Sequence, residues 1–290
     1  MNRYHFAVLN VLDKLNKIVK NPKLALFYLQ TYAISMLKKE AVDLYLVSYP
    51  KCGRTWLRIM LQKYLNYINY NSNLGSNKNI HYLSDGRKIK FEHDQGSWVP
   101  APPSLSHLRF DHSKYFDKKI VFLTRDPRDI IVSSWYHLKY RESIYRNSLS
   151  SFIRDDLVGI NKVIAFMNMW ADSKEIPKEF CLLTYEELHK CPEKSFRKVL
   201  KLFNIPIHDK HITRAIEECS FKNMKKMEKN GSLREPWMKP GAKHSGNSMK
   251  IRKGKIGNYK EELSEEDIYY LDDTIRRDLH SLYSYDEDVN

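Results

Sequence analysis

The chain has 290 residues, long enough for one large α/β domain or two small ones, and 42% of them are hydrophobic, enough for a core. Lys and Arg total 49 against 35 Asp and Glu; the net charge of +14 points to an anionic partner without choosing among nucleotide, nucleic acid, acidic glycan and membrane surface. Four cysteines with no CxxC pair fit a reducing, cytoplasmic setting. No secretory signal or membrane span is expected, because the uncharged stretch 24–37 has only 14 residues where a span needs roughly 20.

Residues 1–40 read as a helical N-terminal extension. Val8, Leu9, Val11, Leu12, Leu15, Ile18 and Val19 form an apolar stripe, with Lys14, Lys17 and Lys20 largely off it. Such a basic amphipathic segment fits packing on its own domain better than peripheral contact with an anionic membrane. The α/β domain then spans 41–290. Residues 42–48 read as a strand, and the run from Thr55 has a helical period. Residues 71–79 are a polar loop, Lys88–His93 alternates as a strand does, and the Pro-rich 96–106 is a loop or lid. Lys119–Thr124 is a buried strand followed by a helix over 129–140, and Phe180–Thr184 is another strand. Helical patterns cover 192–204, 209–219 and 221–229. Residues 230–259 hold five glycines and two prolines among many basic residues, a long functional loop. Ser264 followed by three acids opens the last helix, with Ile268, Leu271, Ile275, Leu279 and Leu282 as its stripe. Strands alternating with helices imply parallel β-α units in one α/β domain.

Three segments carry anion-binding chemistry. Tyr49-Pro-Lys51-Cys52-Gly53-Arg54-Thr55-Trp56 lies at a strand-to-helix junction, where free N–H groups and the helix dipole favour negative charge. Lys51 adds a cation and Thr55 a hydroxyl. The nucleotide loop GxxxxGK[ST] is absent. In the second segment, Phe122 to Trp135, Arg125 falls in the loop after a strand, where open α/β sheets bind ligands, and Ser133 lies two turns into the next helix. The third, Ile251-Arg252-Lys253-Gly254-Lys255-Ile-Gly257-Asn-Tyr259, reads as a basic glycine-containing loop that closes over phosphate.

In this order the three resemble the soluble sulfotransferase family that uses 3′-phosphoadenosine 5′-phosphosulfate (PAPS). Its pattern is TYPKSGTTW, then RNPKDxxVSxxxH, then RKGxxGDW. The resemblance covers about residues 43–259. It implies a P-loop-like central parallel sheet flanked by helices. It further implies that Lys51, Cys52, Gly53, Arg54, Thr55 and Trp56 form the 5′-phosphosulfate loop, with Trp56 also bordering the adenine. Arg125 and Ser133 would hold the 3′-phosphate with Arg252, Lys253 and Gly254. Tyr185 would contact the adenine and Phe221 would stack on it. The reaction it implies is sulfuryl transfer to a hydroxyl or amine of a glycan, lipid or small molecule, with release of adenosine 3′,5′-bisphosphate. No metal and no nucleic-acid partner are expected.

The acceptor must lose a proton, and histidine is the usual base near neutral pH. His81, His93, His107, His112 and His137 fall near the motifs. His93 is preferred over His107, because it ends a strand at the carboxyl edge of the sheet and the family places its base there. Lys51 is the candidate for stabilising charge on the leaving oxygen. Four departures from the family pattern stand out: Cys52 and Arg54 in the first loop, Phe91 in place of a lysine two residues before the base, and Asn258-Tyr259 in place of Asp-Trp. Cys52 near a helix N-terminus also invites a redox reading through a lowered thiol pKa. Two rival functions remain at this stage, a small-molecule P-loop kinase and a basic nucleic-acid-binding protein.

Overall fold

The computed structural model describes residues 42–70, 80–96, 98, 112–231 and 246–285. The expected N-terminal extension, the loop 71–79 and His107 lie outside them. Five strands form one sheet: β1 (Leu44–Val47), β2 (Ile80–Tyr82), β3 (Lys88–Glu92), β4 (Lys119–Thr124) and β5 (Glu179–Thr184), in the order β2-β3-β1-β4-β5. Nine α-helices are described: α1 (Arg54–Tyr67), α2 (Pro127–Tyr136), α3 (Leu149–Ile153), α4 (Ile160–Asp172), α5 (Tyr185–Lys190), α6 (Pro192–Leu202), α7 (Asp209–Glu218), α8 (Phe221–Lys229) and α9 (Glu265–Asp278).

The parallel sheet expected from the sequence holds for β3, β1, β4 and β5. The edge strand β2 runs antiparallel to β3 and was not anticipated, since three residues give too short a pattern to read. β1 is wholly buried and β4 nearly so, as expected of central parallel strands covered on both faces. Phe122 of β4 stacks on Trp170 of α4, ring centroids 5.2 Å apart, and both are buried.

Register places the site. Val47 of β1 is level with Glu92 of β3, so Ser48 and His93 leave the sheet side by side. Thr124 of β4 is level with Thr184 of β5, so Arg125 and Tyr185 emerge together. Four parallel strands thus deliver their next residues to one carboxyl edge.

Local signals explain most boundaries. Asp126 caps α2 by accepting from Arg128 N, with Pro127 at the first helical position. Ser264 caps α9, and Thr184 with Glu187 makes a capping box that starts α5. The helix expected over 129–140 starts at Pro127, and its α-helical part stops at Tyr136. A five-residue π-helical turn, His137–Arg141, follows and redirects His137 and Arg141. The sequence reading did not resolve α3, α4 or α5.

Phe122→Ala should lower stability by about 3–5 kcal/mol, because it opens a cavity against Trp170 that a close-packed core cannot refill. Chemical denaturation with an unchanged m-value would check this.

Candidate active site

The carboxyl edge opens into a cleft of about 590 Å³. Its floor is the turn between β1 and α1. Lys51 (φ 74°) and Gly53 (φ 91°) are both left-handed. For Gly53 the requirement is double, because a Cβ there would also lie 2.7 Å from the Tyr185 ring. The Gly53 carbonyl accepts from Trp56 N (2.9 Å) and Leu57 N (3.2 Å), which starts α1. No side chain caps this helix and no acid lies in its first turn, so its positive end faces the cleft without an internal anion.

Arg125 projects from the end of β4. Its guanidinium lies 4.4 Å from the Tyr185 ring centre and donates to Asp129 Oδ2 at 3.0 Å and to the Lys255 carbonyl at 3.1 Å. Its Nε is buried without a partner. Asp129 also accepts from Gly257 N and Tyr259 N, each at 3.0 Å. One buried carboxylate therefore ties the second basic segment to the third. Arg252 is held by Glu262 at 2.7 Å, with its guanidinium 3.8 Å from the Tyr136 ring centre.

Aromatic groups line the far end. Trp56 donates to the Cys219 carbonyl at 2.7 Å and packs edge-on to Tyr185. Phe221 lies so close to Gly254 (φ 62°) that a Cβ there would be 2.1 Å from its ring. Trp56, Tyr185, His189 and Phe221 make an aromatic slot of the cleft lining, the Trp56 ring centre lying 6.0 Å from Tyr185 and 6.1 Å from His189.

At the near end His93 Nδ1 lies 2.9 Å from the Ser48 carbonyl. A carbonyl only accepts, so Nδ1 carries the proton and Nε2 keeps a lone pair. Burial, then the charge of Arg54, pushes the His93 pKa well below 6.5. Lys51 falls to about 7, through burial and then the charges of Arg141 and Arg125. Burial, then Arg58, lowers Arg54 to about 9. These cations crowd together in a desolvated cleft, an arrangement that favours a multiply charged anion.

The structure brings Lys51, Gly53, Arg54, Thr55, Trp56, His93, Arg125, Ser133, Tyr185, Phe221, Arg252, Lys253 and Gly254 to one cleft. Lys253 sits at its rim, where its ammonium pairs with Glu262 at 2.7 Å and Glu261 at 3.1 Å. Cys52 is a correction. Its side chain is buried below the turn, outside the cleft lining, with Sγ 4.0 Å from the Pro50 carbonyl. Burial pushes the thiol pKa up, against the redox reading. Phe91 is also buried, under the Arg58 guanidinium at 5.1 Å, and brings no cation to the cleft. Of the other histidines, His112 is buried against Trp170 and Asp94, and His81 packs on Phe91. His137 does reach the cleft, beside Trp98.

Sequence reasoning missed Asp129, His189 and Lys250. Lys250 is placed by Glu228, a buried carboxylate of α8 that accepts from Lys250 N at 2.7 Å and Ile251 N at 2.8 Å. Neither Glu228 nor Lys250 stands in a readable motif. Among the described residues no group of His, Cys, Asp and Glu is arranged to hold a metal ion.

The fold and cleft define a nucleotide-type anion site at the head of an α/β sheet. The model of the sulfotransferase domain family matches residues 42–283. Cytosolic sulfotransferase 12 of Arabidopsis thaliana is 27% identical over 255 residues, covering 80% of this chain and 76% of that protein. Flavonol 3-sulfotransferase of Flaveria bidentis is 26% identical over 262 residues, 82% and 81% of the two chains. Among solved structures, mouse sulfotransferase SULT7A1 complexed with PAP superposes with a TM-score of 0.59 at 19% identity, over 82% of this chain and 84% of that one. Retinol dehydratase in complex with androsterone and PAP gives 0.56 at 17% identity, over 83% and 82%. The chain belongs to the sulfotransferase domain family, and it is an enzyme that transfers a sulfuryl group from PAPS.

Asp129→Ala should cost about 3–5 kcal/mol of stability, because it strands the buried Arg125 charge and frees two loop amides. It should also weaken adenosine 3′,5′-bisphosphate binding. Denaturation and calorimetric titration would check both effects.

Proposed function

We propose that the cleft residues divide the reaction as follows. Arg125, Ser133 and Arg252 hold the 3′-phosphate of PAPS, with Gly254 and Lys253 at the closing loop. Trp56, Tyr185 and Phe221 hold the adenine. The Lys51 side chain, the backbone of the turn from Cys52 to Thr55 and the open end of α1 hold the phosphosulfate. The fit is supported by the unpartnered Nε of Arg125 and by the uncapped helix terminus.

His93 is the base. The acceptor O–H gives its proton to His93 Nε2, the acceptor oxygen bonds to sulfur, and the bond from sulfur to the 5′-phosphate oxygen breaks. Its electron pair leaves on adenosine 3′,5′-bisphosphate, where Lys51 meets the developing charge. Sulfuryl transfer resembles phosphoryl transfer in its loose transition state, so positioning and charge stabilisation dominate. The observation that carries this reading is the His93 Nδ1 contact to the Ser48 carbonyl, 2.9 Å long and two residues before Pro50. It fixes the tautomer a base needs and ties it to the strand that presents Lys51.

The acceptor is a hydroxyl or amine compound. A cytoplasmic setting is supported by relatives named as cytosolic sulfotransferases, and among the described residues no helix is long and apolar enough to cross a membrane. The family match begins at residue 42, which supports residues 1–40 as a separate extension.

His93→Ala should abolish transfer from labelled PAPS while leaving the Kd for adenosine 3′,5′-bisphosphate nearly unchanged; wild-type kcat in this variant would remove His93 from the base role. Lys51→Ala should lower kcat by orders of magnitude, whereas a change in KM alone would assign Lys51 to binding only.

The pH dependence of nucleotide binding follows from Lys51 at about 7, which faces Arg125, Arg141, Arg252, Lys250 and Glu228. A bound anion raises a depressed lysine pKa, so binding takes up protons near neutrality and weakens as pH rises through about 7. Calorimetry in buffers of different ionisation enthalpy would read this uptake, which Lys51→Met should reduce.

A further inference from the structure

The donor accounts for only part of the charge in the cleft. Arg125 and Arg252 answer the 3′-phosphate, and Lys51 with the α1 terminus answers the phosphosulfate. Arg54, at the head of α1, and Lys250, in the segment after α8, also line the cleft. Neither belongs to the aromatic slot. Arg54 Nη1 is buried and has no partner. The charges acting on Arg54 are those of Arg58, Glu92 and Cys52, around the ends of β1 and β3. Both Arg54 and Lys250 act on His93, and Lys250 acts on His137 as well.

Their placement is built, not incidental. Glu228 accepts from the backbone of Lys250 and Ile251, and Arg141 of the π-turn donates to the Ser248 carbonyl at 3.2 Å. Phe91 is buried in the core and adds no charge at this corner. Burial and then the neighbouring charge of Lys51 lower Lys250 to about 7, so this corner of the cleft gains from a further anion. A neutral acceptor beside His93 would leave the buried Arg54 Nη1 donor unanswered.

We propose that the acceptor is an acidic alcohol, a hydroxyl compound carrying a carboxylate, phosphate or sulfate group that Arg54 and Lys250 bind while its hydroxyl meets His93. This rests on His93 as the base of the proposed reaction. The transfer step is unchanged; the second anion orients the acceptor.

The test titrates the full chain, saturated with adenosine 3′,5′-bisphosphate, with three matched pairs. These are phenyl β-D-glucuronide and phenyl β-D-glucoside, 4-hydroxybenzoate and 4-hydroxybenzamide, and glycerol 3-phosphate and glycerol. In at least one pair the anionic member should bind about tenfold tighter, the scale of one charge-assisted hydrogen bond. Lys250→Met should remove most of that gain and Lys250→Arg should keep it, with nucleotide Kd within about twofold in both variants. Equal affinities in all three pairs overturn the proposal. So does a Lys250→Met variant that loses as much affinity for inorganic sulfate as for the anionic acceptor, because Lys250 would then face the sulfuryl position. A wild-type chain that binds no nucleotide overturns the reaction assigned above, and this inference with it. Tight nucleotide binding with equal pairs sinks this inference alone.

Discussion

The Asp129 carboxylate, buried under the cleft, joins parts of the chain that the sequence separates by more than a hundred residues. It accepts from Arg125, Gly257 and Tyr259, each at 3.0 Å. Without it, the Arg125 charge would lie in a low-dielectric site with little compensation, and the closing loop would lose two of its anchors. An arginine so placed is straightened by its carboxylate and still offers a free Nε to a ligand. Order where the second and third basic segments meet starts from this one group and is extended by its neighbours. Gly254 is held against Phe221, Lys255 receives Arg125 through its carbonyl, and Arg252 is kept over Tyr136 by Glu262.

A second constraint is electrostatic. Lys51, Arg54, Arg125, Lys250 and Arg252 converge on one cleft; burial and then Arg141 and Arg125 depress Lys51 to about 7, and burial and then Lys51 depress Lys250 to about 7. Such crowding opposes folding of the empty site and is offset when a multiply charged anion enters. The neighbouring histidines follow the same logic in the same direction, lowered by burial and nearby cations. His93 is kept neutral by burial and surrounding charge, the state in which a base is ready to accept a proton.

Much of this was legible from residue order. Lys51, Gly53, Trp56, Arg125, Ser133 and Arg252 were named from three short motifs, because a strand-to-helix turn and a basic loop are local features with local chemistry. His93 was named because a strand end is also local. The helices α6, α7 and α8 were read almost to the residue, since their apolar stripes are strongly periodic. Less was visible where meaning depends on neighbours. Cys52 stood near a helix N-terminus and invited a lowered thiol pKa, yet it is buried beneath a turn in which Lys51 and Gly53 are left-handed. The edge strand β2 has three residues and too little pattern to read. The π-turn after α2, which places His137 and Arg141, follows from no motif in the sequence.

The sequence by itself determined that three anion-binding segments exist, in an order that resembles the PAPS-using sulfotransferase family, because each depends on residues next to each other in the chain. Tertiary structure alone decided how they converge. Parallel register set Ser48 beside His93 and Thr124 beside Thr184, so one sheet edge carries His93, Lys51 and Arg125, the residues proposed as base, leaving-group cation and phosphate ligand. It also decided that Glu228 would seat Lys250 in the cleft while Phe91 sank into the core. Charge in a cleft depends on which side chains share a low-dielectric space, and that neighbourhood is set by packing between distant segments.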